Sequence, residues 1–202
     1  MPDIDVAFFD VGGVLLTNGW DSDRRRKACA AYDLDWDEFE DRHQFVADAF
    51  EKGQLGLAVY LERTVFYRPR DFTPDDFADT MRASSSALTG GLELIRELAA
   101  TGLTLATINN ESRMLNDHRI HTFGLDAIFQ AFFSSCFLGV RKPDEAIYRM
   151  AFTVMARDPQ QCVFVDDRAV NVEGARATGM RTIHHVDPAS TRAALADLGL
   201  LT

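Results

Sequence analysis

Short apolar runs alternate with amphipathic segments along the second half of the chain, and one further apolar run stands at its start. Ile4-Asp5-Val6-Ala7-Phe8-Phe9 is almost wholly apolar and ends at Asp10 and a Gly12-Gly13 turn, the pattern of a buried central parallel strand. Comparable runs recur at 103–108, 131–138, 162–165 and 181–186. Between them, Leu92, Ile95, Leu98 and Ala99 share one helical face before Gly102, a residue suited to a left-handed cap. A second helix is expected from Pro143, with Ile147, Met150, Ala151, Val154 and Met155 as its apolar stripe and Asp158-Pro159 as its close. A third is expected over 168–178, stopped by Gly179. This repetition predicts an α/β fold with a doubly wound parallel sheet.

Residues 17–87 break the rhythm, because they carry helical periods without a strand and are far too long for an ordinary strand-to-helix connection. We expect an inserted α-helical cap over 17–87 and a core domain made of 1–16 and 88–202. Within the insert, Trp36, Phe39, His43, Val46 and Phe50 lie on one face, and Leu57, Tyr60, Leu61, Thr64 and Val65 on another. Arg68-Pro69-Arg70 and Ser84-Ser85-Ser86 read as turns or hinges.

Composition narrows the class. The 202 residues, 47% hydrophobic, suffice for one α/β core and a small subdomain. With 21 basic and 31 acidic residues, the net charge of -10 argues against a basic face for nucleic acid or an anionic membrane; a small-molecule partner is expected. Cys29, Cys136 and Cys162 are widely spaced and form no CxxC pair, which suits inert thiols in a reducing compartment. The acidic start Met1-Pro2-Asp3-Ile4-Asp5 has no basic region ahead of a long apolar run, so neither a signal peptide nor a membrane helix is expected, and the cytoplasm is. Arg24-Arg25-Arg26-Lys27 reads as a solvated helix face, and His118, His121, His184 and His185 as structural. Gly12-Gly13 lacks the rest of a GxGxxG loop.

The chemistry-bearing residues stand where strands give way to loops: Asp10, Asn109-Asn110, Lys142 and Asp166-Asp167. In a doubly wound sheet such ends share one edge, and a crevice opens where the strand order reverses. Three converging carboxylates repel one another unless a cation neutralises them. A hard divalent ion with oxygen ligands does so, and magnesium also takes a substrate phosphate. Lys142 adds positive charge, and Asn110 can donate to non-bridging oxygens while Asp10 attacks in line.

The ordered set Phe8-Phe9-Asp10-Val11-Gly12-Gly13-Val14-Leu15, Arg141-Lys142-Pro143-Asp144 and Phe164-Val165-Asp166-Asp167-Arg168 resembles the haloacid dehalogenase superfamily over essentially the whole chain. It looks most like the phosphatase-like branch with a helical cap inserted after the first strand, including its Asp166-to-Glu173 run. That resemblance implies a three-layer Rossmann-like core, a magnesium cofactor and a small phosphorylated metabolite as substrate. It assigns Asp10 as nucleophile and metal ligand, and Lys142 as the lysine that steadies nucleophile and phosphate. Asp167 and the Gly12 backbone carbonyl would be further metal ligands, Asp166 a supporting carboxylate, and Asn109 and Asn110 phosphate-binding residues.

Two positions depart from the family pattern. Its phosphatases usually carry an acid/base aspartate two residues after the nucleophile, where this chain has Gly12. Without that group, worth roughly 10²- to 10⁴-fold, substrates with good leaving groups are favoured, and the part falls to a cap residue or a water. The second motif usually has serine or threonine before asparagine; here it reads Asn109-Asn110, with Thr107 two residues earlier as the other candidate for the hydroxyl's part. The competing readings are a metal-independent 2-haloacid dehalogenase and a non-catalytic phosphate- or metabolite-binding protein. The dehalogenases have an aromatic residue where Gly12 stands, and the loss of the second aspartate is the sequence support for a non-catalytic protein.

Overall fold

The computed structural model describes residues 3–201; Met1, Pro2 and Thr202, the ends of the expected core and the first residues of the expected leaderless start, lie outside the described residues. Five parallel strands, β1 (Val6–Phe9), β2 (Thr104–Asn109), β3 (Ala131–Ser134), β4 (Cys162–Asp166) and β5 (Arg181–His184), form one sheet in the order β3-β2-β1-β4-β5. The chain builds outward from β1 on one side and then returns to build outward on the other. The fold is therefore doubly wound, and β1, at its centre, flanks the switch point.

Four helices lie between β1 and the rest of the sheet: α1 (Ser22–Ala31), α2 (Trp36–Glu51), α3 (Leu57–Thr64) and α4 (Pro74–Ala83). Their starts follow from local chemistry. Asp21 and Asp35 cap α1 and α2 by accepting from Arg24 and Glu38 N–H, and Thr73 and Asp76 form a reciprocal capping box ahead of α4. Phe39, Val46, Phe50, Tyr60, Leu61, Val65, Phe77 and Met81 bury against one another in a cluster that Leu115 also joins. Tyr60 is its polar centre: Trp20 Nε1 donates to the Tyr60 hydroxyl at 2.7 Å, and that hydroxyl lies 2.9 Å from His43 Nδ1. Arg25 is not solvated as expected; its side chain is buried and pairs with Glu40 at 2.7 Å, tying α1 to α2.

The remaining helices are α5 (Gly91–Ala100), α6 (Arg113–Thr122), the single-turn α7 (Ser135–Leu138), α8 (Glu145–Val154), α9 (Ala169–Ala177) and α10 (Pro188–Asp197). Leu92, Leu94, Ile95 and Leu98 of α5 and Leu195 of α10 pack with Ala7 and Phe9 on one face of the sheet. Ile147, Tyr148, Ala151 and Phe152 of α8 and Ala175 of α9 pack with Val6 and Phe8 on the other. Both faces of β1 are thus apolar, and each fully buried phenylalanine contributes about 1.5–3 kcal/mol. Gly102 and Gly179 follow α5 and α9 with φ of 86° and 94°, the left-handed cap geometry.

Three elements differ from expectation. The 131–138 run is a strand only to Ser134, because its partner β2 ends at Asn109, the residue opposite Ser134, and the chain turns into α7. The last strand stops at His184, leaving Val186 75% exposed. In α8 the buried face is rotated: Tyr148 and Phe152 turn inward, the Tyr148 hydroxyl donating to Asn171 O at 2.9 Å, while Met150 and Val154 are exposed.

Candidate active site

Asp10 follows β1 directly, and its backbone N–H donates to Val165 O of β4 at 2.8 Å, so the carboxyl group projects from backbone tied to the neighbouring strand. Its Oδ1 takes the Val11 N–H at 2.7 Å and lies 2.8 Å from Lys142 Nζ. Among the described residues Oδ2 receives no hydrogen bond. Lys142 reaches in from the turn before α8, 1% exposed, and its Nζ also donates to Asp166 Oδ2 at 2.6 Å. Asp166, at the end of β4, is fully buried and saturated: Arg168 N–H and the Asn171 amide supply its other donors.

Asp167 contrasts with its neighbour. Its Oδ1 is buried with no hydrogen-bond partner, although buried polar atoms are almost always paired. Asp10, Asp166 and Asp167 each bring an oxygen to within 4.8 Å of the others. Burial pushes Asp10 up to about 7, opposed by Lys142 and reinforced by Asp166 and Asp167. Asp167 is likewise raised, by burial and then by the Asp166 charge. The cluster therefore carries more negative charge than Lys142 balances, and its orphaned oxygen fits a hard divalent cation.

Gly13 makes room for this arrangement. Its φ is 77°, and a Cβ there would stand 2.2 Å from Asp167 Oδ2, so both conformation and space exclude a side chain. Gly12 lies in the same turn.

Asn109 and Asn110 border the site but spend their side chains on scaffolding. Asn110 clasps Lys142: its Nδ2 donates to Lys142 O at 2.9 Å and its Oδ1 accepts from Lys142 N at 2.8 Å. Asn109, buried, accepts from Ser134 Oγ at 2.8 Å and donates to Asn116 Oδ1 at 2.9 Å, while Thr107 Oγ1 lies 3.4 Å from its Oδ1.

Other contributors were not singled out by sequence. Asn171 fixes Asp166 from the first turn of α9; its spacing of five residues from Asp166 was the available signal. Arg119 of α6 donates from Nη2 to Thr17 O at 2.9 Å and from Nε to Ser85 Oγ at 3.0 Å, touching both chain crossings between sheet and insert. The crossings are also joined directly, Thr17 N–H to Ser86 O at 2.8 Å and Thr17 Oγ1 to Ser84 O at 3.0 Å. Near the site, Arg141 pairs with Glu51 at the end of α2 at 3.0 Å. Of the histidine pair, His184 Nε2 lies 2.9 Å from Asp167 O, and His185 Nδ1 2.8 Å from Thr191 Oγ1. All three cysteines are free and buried.

The chain is 32% identical over 161 residues to flavin mononucleotide hydrolase 1 of Arabidopsis thaliana, a chloroplast protein, covering 80% of this chain and 65% of that one, so it spans about two thirds of that relative's length. It is 27% identical over 195 residues to the sesquiterpene phosphatase astK of Aspergillus oryzae, covering 92% and 91%. A haloacid dehalogenase family enzyme from Bacteroides thetaiotaomicron shares the fold with a TM-score of 0.75 at 18% identity, over 90% of this chain and 93% of that one. The same enzyme solved with magnesium and inorganic phosphate superposes with a TM-score of 0.74 at 18% identity, covering 89% and 93%. The model of the haloacid dehalogenase-like hydrolases matches residues 4–179, and with the buried aspartate-lysine constellation at the end of β1 the chain belongs to that hydrolase family.

Proposed function

We propose that this hydrolase is a magnesium-dependent phosphatase that transfers the phosphoryl group of a small phosphorylated metabolite to Asp10 and then to water. The observation that carries the reading is the pairing of a half-committed nucleophile with an orphaned carboxylate: Asp10 Oδ1 is anchored by Lys142 and Val11 while Oδ2 is uncommitted, and Asp167 Oδ1 is buried without a partner. Asp10, Asp167 and the Gly12 carbonyl would hold the ion, with Asp166 supporting. Magnesium, when bound, neutralises the carboxylates and polarises phosphate oxygens.

The chain's own residues do the rest. Lys142, with two of its three N–H bonds spent on Asp10 and Asp166, keeps one for a phosphate oxygen. Asp166, held by Asn171, fixes the lysine. Asn110 fixes its backbone and so serves phosphate binding through the position of Lys142, while Asn109 braces the end of β2 beside it through Ser134 and Asn116. The inserted helices act as a cap that selects the substrate and excludes water. Relatives named for flavin mononucleotide hydrolysis and for a sesquiterpene phosphatase favour phosphate esters of small organic molecules, and a structural neighbour solved with magnesium and phosphate favours the ion.

The test is phosphate release from a panel that includes flavin mononucleotide, prenyl phosphates and sugar phosphates, with the parent and Asp10→Asn, in magnesium and in chelator. Release that requires both Asp10 and magnesium is expected. Halide release from 2-haloacids in chelator, or turnover by Asp10→Asn equal to the parent, would overturn the reading.

A further inference from the structure

The groups around Asp10 are unevenly distributed. Lys142, Asp166 and Asp167 all belong to the sheet side, where they suit the phosphoryl group and its ion. On the other side of the Gly12 turn lies Asn18, in the crossing that leads into the insert. A Cβ built on Gly12 would stand 2.8 Å from Asn18 Oδ1, so the Asn18 amide occupies the space that a side chain at position 12 would enter. The amide is half-buried and makes no hydrogen bond to another described residue. Its backbone, by contrast, is pinned on both flanks: Thr17 O accepts from Arg119, and Gly19 O accepts from Ser84 Oγ. A free amide on a fixed backbone, set against Gly12 two residues beyond the nucleophile, is a polar group with a position and no structural task.

Given the phosphatase reading, on which this inference rests, a substrate that sets its phosphoryl group against Lys142 and the carboxylates presents its ester oxygen toward the insert. We propose that Asn18 contacts substrate there, its amide N–H donating to the leaving oxygen in the transition state. With neither amide atom bonded, either end can turn toward the oxygen. In the step, the bond between Asp10 Oδ2 and phosphorus forms while the bond to the ester oxygen breaks. That oxygen keeps the electron pair, accepts the Asn18 hydrogen bond, and takes its proton from water. An amide donates no proton, and neither does Arg119, whose Nη1 is 3.7 Å from the same Cβ position. Asn18 thus stabilises the developing charge without neutralising it, so the enzyme discriminates by leaving-group basicity.

The experiment compares kcat/KM, with magnesium, for aryl phosphates of graded phenol acidity and for alkyl phosphates, using the parent, Asn18→Ala, Asn18→Asp and Gly12→Ala. Asn18→Ala is expected to lose about 10- to 100-fold on alkyl phosphates, the worth of a hydrogen bond to a charged oxygen, and far less on the most acidic phenol. Gly12→Ala, whose methyl displaces the amide, is expected to repeat that pattern with Asn18 intact. Asn18→Asp is expected to flatten the dependence on leaving-group pKa, at pH values where the new carboxyl holds its proton. A uniform loss across all substrates, or no loss, would overturn the role of Asn18 while leaving the phosphatase standing. No phosphate release by the parent from any ester would overturn both.

Discussion

Arg119 and Glu111 form an ion pair of 2.9 Å in which the side chains are 3% and 9% exposed. Burial raises the Glu111 carboxyl and the Arg119 guanidinium opposes that rise. Because the same guanidinium bonds Thr17 and Ser85, one buried pair connects α6 and the loop after β2 to both crossings into the insert. Arg119→Met would leave Glu111 buried without its partner, a loss of about 3–5 kcal/mol readable by urea unfolding. Amide exchange at Thr17 and Ser86, whose N–H groups bond across the crossings, should accelerate in the same variant. Adding Glu111→Gln should recover part of the stability but not the slow exchange; unchanged exchange in Arg119→Met would refute the tie.

Gly13→Ala and Gly102→Ala separate backbone strain from site chemistry. Both glycines have positive φ, 77° and 86°, but a Cβ on Gly13 strikes the Asp167 carboxylate while one on Gly102 meets open space. Each substitution should cost about 1–2 kcal/mol for the left-handed conformation. Gly13→Ala alone should also raise the magnesium concentration needed for half-maximal activity, by about tenfold or more, as displaced ligands do. Equal magnesium titrations for the two variants would contradict this account.

His43 should make stability depend on pH. Trp20 can only donate, so the Tyr60 hydroxyl accepts from it and keeps its own proton to give to an unprotonated His43 Nδ1, 2.9 Å away. Burial, and then the Arg25 charge, lower His43 from 6.5 to about 4. Between those values the unfolded chain binds a proton that the folded one refuses. The His43 contribution is therefore complete above pH 6.5 and is lost as pH falls toward 4, by up to about 3 kcal/mol. His43→Phe should flatten the stability profile in that window; an unchanged slope would exclude His43 as its source.

Asp10→Asn should not melt below the parent in chelator at pH 8. The substitution keeps an oxygen for the Val11 N–H and removes a charge that burial, Asp166 and Asp167 all disfavour. A fall in Tm of more than about 3 °C, the equivalent of roughly 1 kcal/mol in a chain of this size, would mean that the Lys142 contact outweighs the repulsion.

The legible part of the molecule was the part whose physics is local. β1 could be read because a central strand has two apolar faces, and Asp10, a commonplace turn residue when taken alone, because Asn109-Asn110, Lys142 and Asp166-Asp167 stand at the ends of the neighbouring runs. Lys142, Asp166 and Asp167 followed because strand ends in this topology share an edge, and the structure does gather them. The run at 131–138 misled because an apolar stretch does not say where its partner strand ends. The stripe of α8 misled because Ile147 and Ala151 fit two faces, and the bulk of Tyr148 and Phe152 decided between them. Arg25 looked solvated because its partner Glu40 lies on another helix. Arg119 and Asn18 had no signal at all. Arg119 acts on Thr17 across 102 positions, and Asn18 matters through the absence of a side chain at Gly12.

The stitched crossings at Thr17 and at Ser84 to Ser86 have an evolutionary corollary. Residues that hold the reacting groups sit on a sheet whose backbone is locked strand to strand, whereas the helices of the insert gather an apolar centre around Tyr60 and Phe77 that meets the rest of the chain through Leu115 and Met114 of α6. Two regions with largely distinct cores can drift at separate rates. A lineage carrying this architecture can exchange side chains in the four helices, and with them the molecules it admits, while the sheet goes on presenting the same aspartate.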